Sequence, residues 1–360
     1  MRATVMREKK LVVDTLPDPV PGPGEVLVRT LACGICGSDL HALRHMDQMV
    51  ADATEAGAAT TMDPSADIVM GHEFCAEILD HGPGTQKTLP VGSRVCSMPI
   101  LLRQSGFQAV GYSNEVPGGY AERMVLSEML LLPVPNGLET ERAALTEPMA
   151  VGCHAVEKAQ ASAEDMPLVI GCGPVGLAVV ASLKRKGIGP IVAADYSPAR
   201  RRLAQQLGAE VVIDPAEHAP YTEWTQLATP EGGDPSNPLA AMMGAGPRPG
   251  VIFECVGVPG VIDQIMRGAY RGARIVVVGV CMQDDQIRPS LGINKELNLQ
   301  FVLGYSPNEF ADTLRHIADG ELEVDPLITG KVGVEGVAGA FEELATPERH
   351  AKILVEPWRS

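Results

Sequence analysis

A strand-like run, Leu168-Val169-Ile170, leads directly into Gly171-Cys172-Gly173-Pro174-Val175-Gly176 and then into an apolar helical stretch ending near Lys186. Glycines in the pattern G-x-G-x-x-G are weak evidence alone. Between a buried-type strand and a helix they specify a βαβ unit that binds a dinucleotide. Gly171 allows the tight turn, Gly173 lets the backbone approach a pyrophosphate, and Gly176 lets helix and strand pack closely. Pro174 and Val175 open the helix, where unpaired N–H groups and the helix dipole favour phosphate. Asp195 ends the next strand, near the offset of about 20 residues expected for a ribose-binding acid. Its carboxylate suits both ribose hydroxyls and repels a 2′-phosphate, so NAD is expected over NADP. Arg200 and Arg201 follow closely, and each reads as a phosphate partner or as a solvent-facing cation.

The texture around this motif predicts the class. Strands are expected at Ile191–Ala194, Val211–Ile213, Val251–Glu254 and Arg274–Val278, with helices over Pro198–Leu207 and Val261–Tyr270. Such alternation predicts a doubly wound parallel sheet, a Rossmann domain, over residues 156–303. Residues 1–155 differ. Short β-like runs (Glu25–Leu31, Phe74–Leu79, Arg94–Met98, Ala121–Val125) are separated by Gly/Pro turns, which predicts a barrel-like, mostly β domain. The tail, 304–360, completes that first domain with a helix over Asn308–Asp319 and a strand over Lys352–Val355. The class is α/β, and two domains suit a chain of 360 residues. Segments 44–67 and 215–249 read as surface loops with partial helix. The first, carrying Met46, Met49 and Met62, is also placed to wall a substrate site.

Net charge is −16, and Arg200-Arg201-Arg202 is the largest basic cluster, so nucleic acid and anionic membrane are poor partners. No apolar run approaches the roughly 20 residues that span a bilayer. The N-terminus lacks the apolar core of a signal peptide, which makes the cytoplasm the expected compartment. The eight cysteines are scattered and read as reduced thiols. Cys33 and Cys36 have C-x-x-C spacing, but a redox pair needs a different setting.

The run Gly34-Ile35-Cys36-Gly37-Ser38-Asp39-Leu40-His41 places thiol, hydroxyl, carboxylate and imidazole beside a glycine turn. His72 and Glu73 follow Gly71, and Glu147 lies in Thr146-Glu147-Pro148. A catalytic zinc takes three protein ligands from Cys, His and carboxylate and keeps one position open. Cys36, His72 and Glu147 meet that requirement, with Cys153 a rival third ligand. Singly, each has a plainer reading: a small buried thiol, a locally bonded histidine, a helix cap.

These motifs, with Gly92-Ser93-Arg94-Val95 and Gly118-Gly119-Tyr120-Ala121-Glu122, resemble the zinc-dependent alcohol dehydrogenases, the medium-chain dehydrogenase/reductase family. The resemblance covers nearly the whole length, in the family's order, and is closest to the sorbitol/polyol and threonine dehydrogenase branches. It implies a GroES-like catalytic domain joined to the Rossmann domain, with the active site in the cleft between them. It implies reversible oxidation of a secondary alcohol to a ketone with hydride transfer to NAD. It implies that Ser38 takes the substrate proton, that His41 relays it, and that Asp39 orients the zinc-bound histidine. Glu73 matches a carboxylate that exchanges with water as ligand, Lys352 a pyrophosphate contact, and Val151 a nicotinamide contact. The family is dimeric or tetrameric, so a homo-oligomer is expected.

Two departures stand out. Many family members hold a structural zinc with four closely spaced cysteines, but Cys96 to Val116 contains only Cys96, so one zinc per subunit is expected. The segment between Cys36 and His72 is longer than usual, which leaves substrate identity open. The alternatives are a primary alcohol or aldehyde-adduct dehydrogenase, a zinc-free reductase, and a non-catalytic NAD-binding sensor.

Overall fold

The computed structural model describes residues 1–57, 62–104, 106–135, 137–235, 245–346 and 348–359. The chain divides into two compact units, Met1–Pro148 with Phe310–Ser360, and Met149–Glu309.

The first unit opens with β1 (Arg2–Arg7) and β2 (Lys10–Thr15), an antiparallel hairpin turned at Glu8 and Lys9. Then come β3 (Glu25–Gly34), helix α1 (Gly37–Glu55), β4 (Glu73–His81) and β5 (Arg94–Ser97). A small antiparallel hairpin of β6 (Ile100–Arg103) and β7 (Gly106–Ala109) occupies the cysteine-poor stretch. β8 (Arg123–Ser127), β9 (Leu131–Pro133) and α2 (Thr140–Ala144) follow, and α3 (Thr146–Lys158) begins at the end of this unit and continues in the second. β3 is the spine of the sheet. It pairs antiparallel with β4 along one edge and with β8 along Glu25–Arg29 of the other. Val26, Val28, Ile78, Val95, Met124 and Leu126 from these strands are buried in one core. Burial of this kind contributes about 25 cal/mol per Å² of apolar surface removed from water.

Segment 44–67 is partly helical, as expected: α1 runs through its first half to Glu55, with a kink at His45. Met46 is buried, and Met49 and Met62 pack against the same core, so these thioethers fill core space instead of facing outward. Residues 58–61 of that segment lie outside the described residues.

The second unit is the doubly wound sheet. It contains β10 (Met166–Ile170), α4 (Pro174–Arg185), β11 (Val192–Ala194), α5 (Pro198–Leu207), β12 (Val211–Ile213) and α6 (Pro220–Ala228). It continues with β13 (Gly250–Glu254), α7 (Val261–Gly268), β14 (Arg274–Val277), α8 (Pro289–Lys295) and β15 (Asn298–Phe301). The strand order is β12-β11-β10-β13-β14-β15, all parallel. The order reverses direction between β10 and β13, which is where such sheets bind ligands. Within the proline- and alanine-rich 215–249 segment, α6 carries the fully buried Trp224. Its indole N–H donates to Met166 O at 3.0 Å, and its ring stacks on Tyr270 at 4.2 Å.

The chain then returns through α9 (Pro307–Ala318), β16 (Ile328–Val332), α10 (Val337–Leu344) and β17 (Lys352–Val355). β17 pairs antiparallel with the end of β3, Leu354 opposite Gly34 and Val355 opposite Cys33. The last strand is therefore part of the first sheet. No helix among the described residues is long and apolar enough to cross a membrane.

Candidate active site and metal centre

The β3–β4 register builds the centre of the first unit. Gly34 faces Glu73 across the ladder, so the end of one strand lies against the start of the next. A Cβ at Gly34 would lie 1.9 Å from Glu73 Oε2, so any side chain there would force the Glu73 carboxylate from its place. Two residues past Gly34 the chain enters α1 with Cys36 as N-cap. The Cys36 thiol, a His72 ring nitrogen and a Glu73 carboxylate oxygen all lie within 4.8 Å of one another. Cys36 is half-buried, His72 and Glu73 are buried. Sulfur, nitrogen and carboxylate oxygen are the donor set of a catalytic zinc.

The surrounding groups fit that ion. Asp39 is fully buried, and its Oδ1 lies 3.5 Å from His72 Nδ1, which otherwise has no hydrogen-bond partner. A carboxylate behind a ligating histidine is the arrangement that fixes its tautomer and ring direction. Asp39 Oδ2 accepts from the Cys36 N–H at 2.9 Å and the Tyr120 hydroxyl at 2.6 Å. Tyr112 Oη lies 2.9 Å from both Asp39 Oδ1 and Ser38 Oγ. Burial pushes the Asp39 pKa up, but His72, Tyr120 and the Cys36 N–H outweigh it and hold the carboxyl below its ordinary range. Asp39 is thus an anion at neutral pH. Burial and the Asp39 charge push both tyrosine pKa values well up, so both phenols keep their protons. Neither tyrosine was among the candidates. Tyr120 had a signal in its glycine-flanked motif, while Tyr112 had none, because its place depends on the packing of a loop onto α1.

Lys352 requires a correction. Assigned to the pyrophosphate, it is instead fully buried inside the first unit. Its ammonium donates to both Glu73 oxygens at 2.7 Å and to Ile35 O at 3.0 Å. All three of its protons are engaged there, leaving none for a phosphate. Burial pulls its pKa down, yet the Glu73 charge and then that of Cys36 raise it overall. Glu147 lies in the first turn of α3, half-buried and outside the Cys36–His72–Glu73 trio. Its charge still acts on Lys352. Cys153, the rival ligand, is buried in the second unit with its Sγ 3.3 Å from Ser182 Oγ. His41 is half-buried on α1, and burial, then His45 and Arg44, pull its pKa below the ordinary 6.5.

The glycine-rich turn of the second unit joins β10 to α4. Gly171 takes φ 90°, and a Cβ on Gly176 would lie 1.8 Å from Gly171 O. Gly173 differs, since its Cβ would meet nothing closer than Arg200 Nη1 at 3.9 Å. That open space in front of the helix N-terminus, with Pro174 and Val175 in the first turn, fits a pyrophosphate. Asp195 Oδ2 accepts from Cys172 N at 2.8 Å and Oδ1 from Ser197 N at 2.7 Å. Arg200 Nη1 stands 3.9 Å from Asp195, whereas Arg201 is engaged with Asp214 at 2.9 Å. Val151 is half-buried on α3, in the second unit.

Comparison with known proteins agrees with this geometry. Residues 22–136 match the alcohol dehydrogenase GroES-like domain, and residues 174–319 match the zinc-binding dehydrogenase domain. The chain is 30% identical to (R,R)-butanediol dehydrogenase of Bacillus subtilis over 97% of each chain. It is 25% identical to sorbitol dehydrogenase of the same organism, over 100% of this chain and 98% of the relative. The crystal structure of 2R,3R-butanediol dehydrogenase from Bacillus subtilis superposes with a TM-score of 0.79 at 28% identity, covering 99% of each chain. With a zinc donor set in one unit and a dinucleotide turn in the other, the chain belongs to the zinc-dependent medium-chain alcohol dehydrogenases, enzymes acting on CH–OH donors.

Proposed function

We propose that this enzyme reversibly oxidises a secondary alcohol, a vicinal diol or polyol, to the ketone with NAD as hydride acceptor and one zinc per subunit. The observation that carries this reading is the Cys36–His72–Glu73 trio beside Ser38. Relatives named for a butanediol and for sorbitol support the substrate class. Bound at the trio, zinc supplies a Lewis acid for the alcohol oxygen, and nicotinamide supplies the hydride acceptor.

The residues of the chain do the rest. Cys36 and His72 hold the metal, with Glu73 the carboxylate in reach and Glu147 the alternative third ligand. Asp39 keeps the His72 ring in one orientation. Ser38 Oγ takes the proton of the substrate hydroxyl, and His41, neutral at pH 7 because its pKa is lowered, passes it on. Lys352 neutralises Glu73, so that a buried carboxylate does not stand uncompensated. Asp195 holds the adenosine ribose, and Arg200 faces the phosphates over Gly173. Val151 lines the nicotinamide site.

We also propose a cytoplasmic homo-oligomer. All eight cysteines are free thiols, as a reducing compartment requires. β15 is an edge strand, with Phe301 and Leu303 exposed by 67% and 89% at its end, a surface that a second copy would cover.

The test is zinc content of undialysed protein together with NAD reduction against a panel of vicinal diols, polyols, primary alcohols and aldehydes. One zinc per subunit with turnover on diols or polyols is the expected result. Metal-free protein that is fully active would end the reading, and preference for primary alcohols would move it to the alternative substrate class. Loss of metal in Glu147→Gln but not in Glu73→Gln would give the third ligand position to Glu147.

A further inference from the structure

A buried carboxylate held without a cation is costly, so its presence needs a reason. Glu254 ends β13 and is buried, and its partners are backbone N–H groups rather than a lysine or arginine. Its Oε1 accepts from the Val256 N–H at 2.7 Å and from the Gly257 N–H at 2.9 Å, which turns the chain sharply as it leaves the strand. The connection after β14 comes equally close. The Gly279 N–H donates to Glu254 O at 2.9 Å and acts on the carboxylate as well. A Cβ on Gly279 would lie 2.4 Å from Gly257 N and 2.8 Å from Glu254 Oε2, so the two connections meet backbone to backbone around this one side chain. Side-chain packing contributes little there, since Val256, Val258 and Val280 are all exposed.

The same segment carries the dinucleotide turn. The Cys255 N–H donates to Ile170 O at 2.8 Å. A Cβ on Gly171 would lie 2.7 Å from Val256 Cγ2, and one on Gly176 would lie 3.3 Å from Cys255 Cβ. These contacts lie at the carboxyl ends of β10 and β13, where the strand order reverses. We infer that Glu254 is a positioning residue for the dinucleotide: its carboxylate fixes the connections after β13 and β14 and, through Cys255 and Val256, the support beneath the glycine turn. The role is that of a hydrogen-bond acceptor at the right reach. Burial raises the Glu254 pKa, the Gly257 and Val256 N–H groups lower it, Asp285 raises it again, and the balance stays above the ordinary carboxyl value. The role does not turn on that balance, because a neutral carboxyl still offers a carbonyl oxygen to both N–H groups. It rests on the reading of Gly171 to Gly176 as the turn that takes the dinucleotide.

The test is NADH binding to the full-length, zinc-loaded enzyme, followed by fluorescence without substrate, beside zinc content and kcat at saturating NAD. Three variants separate reach from charge. Glu254→Gln keeps the length and the acceptor, Glu254→Asp keeps the charge but draws the oxygens back, and Glu254→Ala removes both. Glu254→Gln should hold the NADH Kd within about twofold of the parent. Glu254→Asp and Glu254→Ala should each raise it about tenfold, with zinc content unchanged and kcat at saturating NAD retained. Glu254→Gln and Glu254→Asp decide the matter even where Glu254→Ala gives no folded protein. A Kd unchanged in Glu254→Asp, with only Tm or yield reduced, would make Glu254 a stability residue and overturn the proposal. Weak binding in Glu254→Gln with Glu254→Asp intact would also overturn it, since the charge would then carry the role. A parent enzyme that binds no NADH would bring down the underlying reading of the turn itself.

Discussion

His41 and Asp195 are the residues whose roles are most open to direct measurement. His41 is pulled below pH 6.5 by burial first, then by the like charges of His45 and Arg44. A lowered pKa means that the neutral, proton-accepting ring persists as pH falls through 6.5. The acid limb of kcat should therefore lie below 6.5. Arg44→Gln and His45→Gln each remove a repelling cation, so each should move that limb toward higher pH. A pH–rate profile that ignores both changes would remove His41 from the proton path. Asp195→Ala should weaken NAD binding about tenfold and relax the preference over NADP, because two hydroxyl partners and one repelling charge go together. Equal affinity ratios for the two cofactors before and after the change would refute that role. The residue types in the glycine turn and at Cys36 and His72 were readable from sequence because each motif carries its own local chemistry. Glu73 against Glu147, the burial of Lys352 and the Tyr112 contacts were not readable. They depend on which strand lies across from which, and on what a distant segment places between them.

Among the elements, strand pairing does most to shape both units. The β3–β4 register sets Glu73 opposite Gly34, and a shift by one residue would turn every side chain of β4 to the other face. The strands of the second unit were legible because they are short apolar runs between turn residues. α1 and α6 were less so. α1 buries Asp39, Ala42 and Met46, a mixed set that gives a weak apolar stripe. α6 is hidden in a segment rich in proline and alanine, and its place is fixed by the fully buried Trp224, with Tyr221 packed partly buried against the same core. Trp224→Ala should cost about 3–5 kcal/mol, the range for truncating a buried aromatic, measured by urea or thermal unfolding. A loss under 1 kcal/mol would show that α6 contributes little to this core.

At the scale of the whole molecule, metal binding and stability are linked. Removing zinc by chelation should lower Tm, since a ligand at a hundredfold excess over its Kd stabilises by about 2.7 kcal/mol. An unchanged Tm on complete metal removal would mean that the folded chain binds the ion no more tightly than the unfolded chain does. If the proposed homo-oligomer forms through the end of β15, Leu303→Lys should shift it toward monomer in light scattering. An oligomer of unchanged size would place the subunit contact elsewhere.

The position of Lys352 also sets an order of events during synthesis. Glu73 leaves the ribosome early, while the cation that neutralises it is encoded 279 residues later, on the last strand. Until β17 is made and docks beside β3, the nascent first unit holds a carboxylate with no counter-charge and a sheet with an open edge. The intervening unit can form on its own schedule, because a parallel sheet with its own core needs nothing from the tail. Completion of the metal centre is thereby tied to the synthesis of β17, and a product cut short before Lys352 would leave Glu73 without its cation.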